Sequence, residues 1–327
     1  MDRDEFIKLE PRLATILQNA MENKRISQAY LLFGSPRCPF EEASLFIAQT
    51  LNCESGGLAC GKCDSCKRFM AGVRPDFYLI DGRIGLIKKD DIITLRDKYS
   101  MSSVENKKVS SQRMSYVILQ ADNILQKVAN AMLKFLEEPA PGLTAILTTS
   151  NIERVLPTIR SRCEEIRLEA IPRDYLYNKL ITDGFNHENS YFLSDMSGDL
   201  NRLESIGQDK DFLATVLALD KFIKAYDKSN KEAVFSLMND AADRLKGSTC
   251  YNWFYGGLSR YFKDIMIQDG QFSVYKDSIV KHSCDIEKAS KASVLLDESV
   301  KESNANMSFT GILARLGLIL LNVKEYY

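Results

Sequence analysis

Residues 29–42 read Ala29-Tyr30-Leu31-Leu32-Phe33-Gly34-Ser35-Pro36-Arg37-Cys38-Pro39-Phe40-Glu41-Glu42. An unbroken apolar run closed by a Gly/Pro turn marks a strand buried on both faces, and the residues after Pro39 open a helix. Similar apolar runs lie at 76–80, 116–119 and 144–148, with helical spacing between them at 86–99 and 124–138. Apolar strands alternating with helices predict an α/β domain built on a parallel sheet, because helices on both faces are needed to cover such strands.

The turn after a strand of this kind is where a nucleotide-binding loop belongs. A working loop reads G-x-x-x-x-G-K-[ST]: its amides surround the phosphates, its lysine neutralises them and its hydroxyl binds Mg²⁺. Counted from Gly34, the second glycine position holds Pro39, the lysine position Phe40 and the hydroxyl position Glu41. Proline removes an amide donor, phenylalanine removes the cation, and glutamate brings negative charge to the place of phosphate oxygens. Nucleotide binding of this type is not expected. On the residues alone, the segment is a plain strand–turn–helix connection.

From about Pro172 the strand pattern stops and helical spacing runs to the C-terminus. Gly207 and the charged run Gln208-Asp209-Lys210-Asp211 suggest a hinge between a small helical module and a larger one. Phe309, Ile312, Leu313, Leu316, Leu320 and Val323 fall on one stripe of a last helix, expected to face its own core rather than another subunit. Trp253, Phe254, Leu258 and Phe262 read as core in the same way. Lys88-Lys89 and Lys107-Lys108 read as solvated surface, with duplex DNA as the alternative contact.

The full chain of 327 residues carries 43 Lys+Arg against 44 Asp+Glu, for a net charge of −1. That balance argues against a protein whose main task is to coat nucleic acid or an acidic membrane. Two histidines, His187 and His282, exclude a His-rich metal centre and an H-E-x-x-H protease. The acidic start Met1-Asp2-Arg3-Asp4-Glu5 lacks a secretory core, and the most apolar stretch, 309–323, is interrupted by Arg315 and Asn322. No membrane span is expected. Eight cysteines without a signal segment point to a reducing, cytoplasmic setting, where clustered thiols bind metal.

Four of them, Cys53, Cys60, Cys63 and Cys66, form C-x6-C-x2-C-x2-C. Two-residue gaps let neighbouring thiolates converge on one tetrahedral ion, and Gly56, Gly57 and Gly61 are expected to supply the positive backbone angles of the knuckle. Four thiolates leave no open coordination position, so the expected Zn²⁺ is structural. An iron–sulfur cluster is the competing occupant. Cys38, Cys163, Cys250 and Cys284 are scattered and read mainly as buried apolar positions.

Three further segments carry a family resemblance: Ala121-Asp122-Asn123; Asn130-Ala131-Met132-Leu133-Lys134-Phe135-Leu136-Glu137-Glu138-Pro139; and Ser161-Arg162-Cys163. Together they resemble the clamp-loader subunits of bacterial DNA polymerase III, which are AAA+ proteins with an N-A-L-L-K-x-L-E-E-P helix followed by S-R-C. The four-cysteine insertion after the loop occurs at the same place in that family. The resemblance is specific over about residues 20–205. Loss of the phosphate loop resembles the non-hydrolysing delta-prime type rather than the ATP-hydrolysing tau/gamma subunits. The family's catalytic acidic pair falls here on Leu119 and Gln120, and the second sensor arginine on Asn201, with Arg202 one place late.

What remains is Ser161-Arg162-Cys163. The resemblance implies that Arg162 acts in trans as an arginine finger on a neighbour's ATP, a role worth about 10³–10⁵ in rate. It also implies an AAA+-like α/β domain with a zinc knuckle (1–168), a helical lid (169–208) and an all-α C-terminal oligomerisation domain (209–327). No ATP is expected on this chain. Its partners by resemblance are tau/gamma and delta subunits in a ring, with the sliding clamp and primed DNA reached through the complex. The alternatives are a stand-alone zinc-containing DNA-binding protein and an active AAA+ ATPase; Phe40, Glu41, Leu119 and Gln120 argue against the latter.

Overall fold

Five strands lie among the residues that the computed structural model describes, which are 3–74, 77–105, 113–268, 272, 274–301 and 308–322. They are Ala29–Phe33 (β1), Phe77–Asp81 (β2), Met114–Leu119 (β3), Leu143–Thr149 (β4) and Glu164–Arg167 (β5). Their order is β2-β3-β4-β1-β5, and every neighbouring pair is parallel. Side chains alternate between two cores, as a period of two requires. Tyr30, Leu32, Val117, Leu119 and Ile146 meet helix Phe40–Leu51 on one face. Ala29, Leu31, Tyr116, Ile118, Ala145 and Leu147 meet helices Lys89–Glu105 and Gln126–Glu137 on the other. All these strand residues are at most 3% exposed. Each large one contributes about 1.5–3 kcal/mol of burial. The expected α/β domain built on a parallel sheet is present.

Strand β5 is absent from the sequence reading, and its physics explains why. It sits at the sheet edge against β1, and of Glu164-Glu165-Ile166-Arg167 only Ile166 is buried. One core residue in four makes no apolar run. The opposite edge is β2, where the Lys98 ammonium donates to the Phe77 carbonyl at 3.1 Å and lies 5.0 Å from the Tyr78 ring centre. Helix Lys89–Glu105 starts later than its apolar spacing implies, because 82–88 run as a loop pinned by the Ile87 amide donating to the Asn123 carbonyl. On helix Gln126–Glu137 the buried face is Val128, Ala129, Met132 and Leu136, and Asn130 is exposed.

The chain divides into two compact units, Met1–Ile171 with Gly198–Leu200, and Pro172–Ser197 with Asn201–Tyr327. Among its described residues every secondary-structure element of the second is a helix. Its core includes Phe254, Leu258 and Phe262, with Trp253 edge-on to Phe212 at 5.6 Å. Phe309, Ile312, Leu313, Leu316 and Leu320 of helix Phe309–Leu320 are buried as their stripe predicts, while Val323 lies outside the described residues. Gly207 ends helix Leu200–Gly207, and a Cβ there would stand 2.3 Å from Phe185. Asp209 then caps helix Lys210–Lys228, accepting from the amides of Asp211 and Phe212.

One buried ion pair organises this unit. The Arg173 guanidinium donates to Asp264 at 2.8 Å and to the Tyr191 carbonyl at 2.9 Å, and stacks 4.5 Å from the rings of Tyr191 and Phe272. Asp264 is fully buried and also accepts from Arg260 and the Tyr191 hydroxyl. Among the described residues, no helix is long and apolar enough to cross a membrane.

Candidate functional site

The loop between β1 and helix Phe40–Leu51 is filled by its own side chains. Cys38 is fully buried beneath Gly34, its thiol donating to the Leu168 carbonyl at 3.5 Å. A Cβ on Gly34 would stand 2.4 Å from that sulfur, so glycine is required there. Burial pushes the Cys38 thiol up to about 11, which keeps it neutral and inert. Phe40, at the lysine position, packs into the core cluster.

Two residues that the sequence reading passes over complete the loop's surroundings. The amides of Glu41 and Glu42, in the first turn of the helix, donate to Asp199 Oδ1 at 2.8 and 3.4 Å. Arg83 donates to Asp81 through Nε and Nη2 at 2.8 and 2.7 Å, and to Glu41 at 2.8 Å, with Nη1 3.6 Å from Asp199. Burial works against the Arg83 charge, but the carboxylates of Asp81 and Glu41 outweigh it and hold the proton more firmly than in a free arginine.

At the position of the family's acidic pair, Leu119 is in the core and Gln120 adopts a left-handed φ of 57°. The Gln120 amide donates to Thr148 Oγ1 at 3.1 Å and its side chain to Ser150 at 3.3 Å. Thr149 donates to Asp122 at 2.7 Å and accepts from the Asn151 amide at 2.9 Å. The polar end of β4 is thus taken up by protein partners.

Arg162 follows the short helix Pro157–Arg160 and points along the surface of the first unit. Its Nη1 donates to the Thr158 carbonyl at 2.8 Å and to the Ser161 hydroxyl at 3.3 Å. Its Nη2 pairs with Glu137, the last residue of helix Gln126–Glu137. Ser161 and Arg162 are exposed and Cys163 is half-buried, its thiol pushed up to about 12 by burial and then by Glu165. The N-A-x-L-K helix and the S-R-C triplet, which bear the resemblance, are therefore in contact through one charged pair.

The four cysteine sulfurs of 53, 60, 63 and 66 lie within 4.8 Å of one another. A tetrahedral Zn–S distance of about 2.3 Å requires sulfurs about 3.8 Å apart, so a small closure would seat the ion. Backbone amides already point at the sulfurs: Cys60 N at Cys53 Sγ (3.3 Å), Lys62 N and Cys63 N at Cys60 Sγ (3.4 and 3.3 Å), and Cys66 N at Cys63 Sγ (3.4 Å). Those of Lys62 and Cys63 hold the Cys60 thiol down at about 6, toward the thiolate that a metal needs. Burial pushes Cys66 the other way, to about 12. Gly56 and Gly61 have φ of +73° and +69°, whereas Gly57 does not need the left-handed region. Cys53, Ala59, Cys66 and Phe69 belong to the same core as helix Phe40–Leu51, so the knuckle is part of the packed domain. The donor set fits a closed, structural metal site. Of the other cysteines Cys38 and Cys250 are buried, and Cys284 is exposed. Lys88 and Lys89 are exposed, and Lys107-Lys108 lie outside the described residues.

The family model described as DNA polymerase III, delta subunit, matches residues 9–172. DNA polymerase III subunit delta' of Bacillus subtilis (strain 168) is 27% identical over 325 residues, covering 97% of both chains. DNA polymerase III subunit gamma of Buchnera aphidicola subsp. Schizaphis graminum is 32% identical over 167 residues, 50% of this chain and 44% of that protein. Among solved structures, a DNA polymerase III gamma subunit-related protein from Thermotoga maritima aligns over 95% of this chain and 99% of its own, with TM-score 0.45 and 16% identity.

Proposed function

This chain belongs to the family described as DNA polymerase III, delta subunit, and we propose that it works as a non-hydrolysing clamp-loader subunit of the delta-prime type. The observation that carries the reading is a pairing of opposites. The chain's own loop holds Pro39, Phe40 and Glu41 where a phosphate site needs an amide, a cation and a hydroxyl, while Arg162 is presented on the surface with its side chain 35% exposed. An arginine that serves no local phosphate is free to serve a neighbour's.

In this reading Arg162 leaves Glu137 and Thr158 to meet the γ-phosphate of ATP on an adjacent tau/gamma subunit. Its planar fork then stabilises charge that spreads over the transferring phosphoryl oxygens. The chain itself binds and hydrolyses no ATP. Tau/gamma and delta subunits are its partners in a ring that loads the sliding clamp on primed DNA in the cytoplasm, with residues 169–208 as lid and 209–327 as collar. Zn²⁺, held by Cys53, Cys60, Cys63 and Cys66, supplies structural cross-linking and takes no part in the reaction.

The test is reconstitution. The isolated chain is expected to show no ATP binding in equilibrium dialysis, and to raise the ATPase rate of a complex containing tau/gamma and delta. Micromolar ATP binding by the chain alone, or an ATPase indifferent to its presence, overturns the reading.

A further inference from the structure

The N-terminus of helix Phe40–Leu51 is the anion end of the loop, since its first amides have no partner within the helix. In a phosphate loop those donors take phosphate oxygens. Here the Glu41 and Glu42 amides converge on Asp199 Oδ1, a carboxylate about 158 residues further along the chain and only 3% exposed. The contact is built rather than incidental. A Cβ on Gly198 would stand 2.1 Å from the Arg37 carbonyl oxygen, so only glycine lets this segment lie flat on the loop. The next amide, of Leu200, donates back to Glu42 Oε1 at 3.2 Å.

The charges around it agree. Arg83 Nη1 and Glu42 Oε2 are buried without a hydrogen-bond partner, and Arg83 Nη1 faces Asp199 at 3.6 Å. Burial and the neighbouring Asp199 push the Glu42 carboxyl well above its ordinary range, so it stays neutral beside Asp199. That leaves one guanidinium and a helix N-terminus facing the carboxylates of Asp81, Glu41 and Asp199.

We propose that Gly198-Asp199-Leu200 is a tethered ligand of the degenerate loop, its Asp199 carboxylate occupying in cis the anion site that a phosphate would take. The chain is then closed to nucleotide twice over, by the residues it lacks and by the group it supplies. The assignment rests on contacts within the first unit and does not depend on ring membership.

Chemical rescue of the full-length, zinc-loaded chain tests it, with formate as the probe. In Asp199→Ala the Glu41 and Glu42 amides are expected to exchange with solvent about tenfold faster or more than in wild type. Formate should restore their protection and shift their NMR signals, while wild-type signals stay unmoved. Unchanged exchange in Asp199→Ala, no response of that variant to formate, or formate shifts in wild type would each overturn the assignment. Should Asp199→Ala not fold, Asp199→Asn carries the test through the Glu42 carboxyl carbon. Its titration midpoint should fall by about one unit or more once the neighbouring negative charge is gone, and an unchanged midpoint overturns the proposal.

Discussion

Arg162 is held by Glu137, a residue of the helix whose sequence carries the family resemblance. The pair lies at the surface, with side chains 35% and 48% exposed, so water and salt weaken it and its two partners separate at little cost. Such a clasp can orient a guanidinium without trapping it. A buried pair could not release the arginine to a neighbour.

Arg162→Ala should leave the isolated chain within about 0.5 kcal/mol of wild type in chemical denaturation. The same variant should lower the ATPase rate of a reconstituted complex by about a hundredfold or more at the site it completes. Arg162→Lys should not recover that rate, because an ammonium cannot reproduce the fork.

Glu137→Gln replaces a charged clasp with a neutral one. We expect an unchanged thermal midpoint, since exposed pairs contribute about 0–1 kcal/mol. ATPase of the complex should fall less than with Arg162→Ala and become less sensitive to ionic strength, read from rate against salt concentration.

Metal analysis should give one zinc per chain. Chelation, or Cys63→Ser, should release it and lower the melting temperature by several degrees, with lost protection in helix Asp64–Met70, because metal-binding energy in such modules is folding energy. An iron signal with visible absorbance would replace zinc by the competing cluster.

Glu10 gives a pH test of the first unit. It is fully buried, Oε1 accepts from the Glu169 amide at 3.0 Å, and Oε2 has no partner. Burial pushes its carboxyl up to about 7 from an ordinary 4.5. Between those values the unfolded chain is ionised and the native one protonated, so this group's contribution falls as pH rises from about 4.5 to about 7. Glu10→Gln, which cannot ionise, should gain about 1–3 kcal/mol relative to wild type across that window. Denaturant titrations at both ends check the sign.

In the second unit, Asp264→Ala removes the shared acceptor of Arg173, Arg260 and Tyr191 and leaves the buried Arg173 guanidinium without its carboxylate, while Arg260 keeps Asp195 at 3.8 Å. A loss of about 3–5 kcal/mol is expected in equilibrium unfolding. Arg173→Ala on top of it should cost much less than it does alone.

Local pattern made much of this legible in advance. Apolar strands buried on both faces announce themselves as unbroken runs, and the cysteine spacing is itself a geometry because its ligands are close in sequence. The edge strand at Glu164–Arg167 escaped because burial on one side leaves a single apolar residue. Asp199 escaped for a different reason. Its partners are about 158 residues away, and no local periodicity encodes a carboxylate meeting a helix start across that distance. The missing lysine of the loop was visible at Phe40, while the group that fills the anion site was not. Arg83 was equally silent, since only the fold brings Asp81, Glu41 and Asp199 around it.

The two borders of the sheet bear on how this chain behaves in a crowded solution. An open strand border is a template on which a second sheet can grow, the route to fibres and inclusion bodies. One border here carries Glu164, Glu165 and Arg167, and at the other a lysine occupies the Phe77 carbonyl. Uncapped borders would let copies stick to one another before meeting any partner. Replacing Glu164 and Glu165 with valine should therefore show itself first as lost solubility during expression.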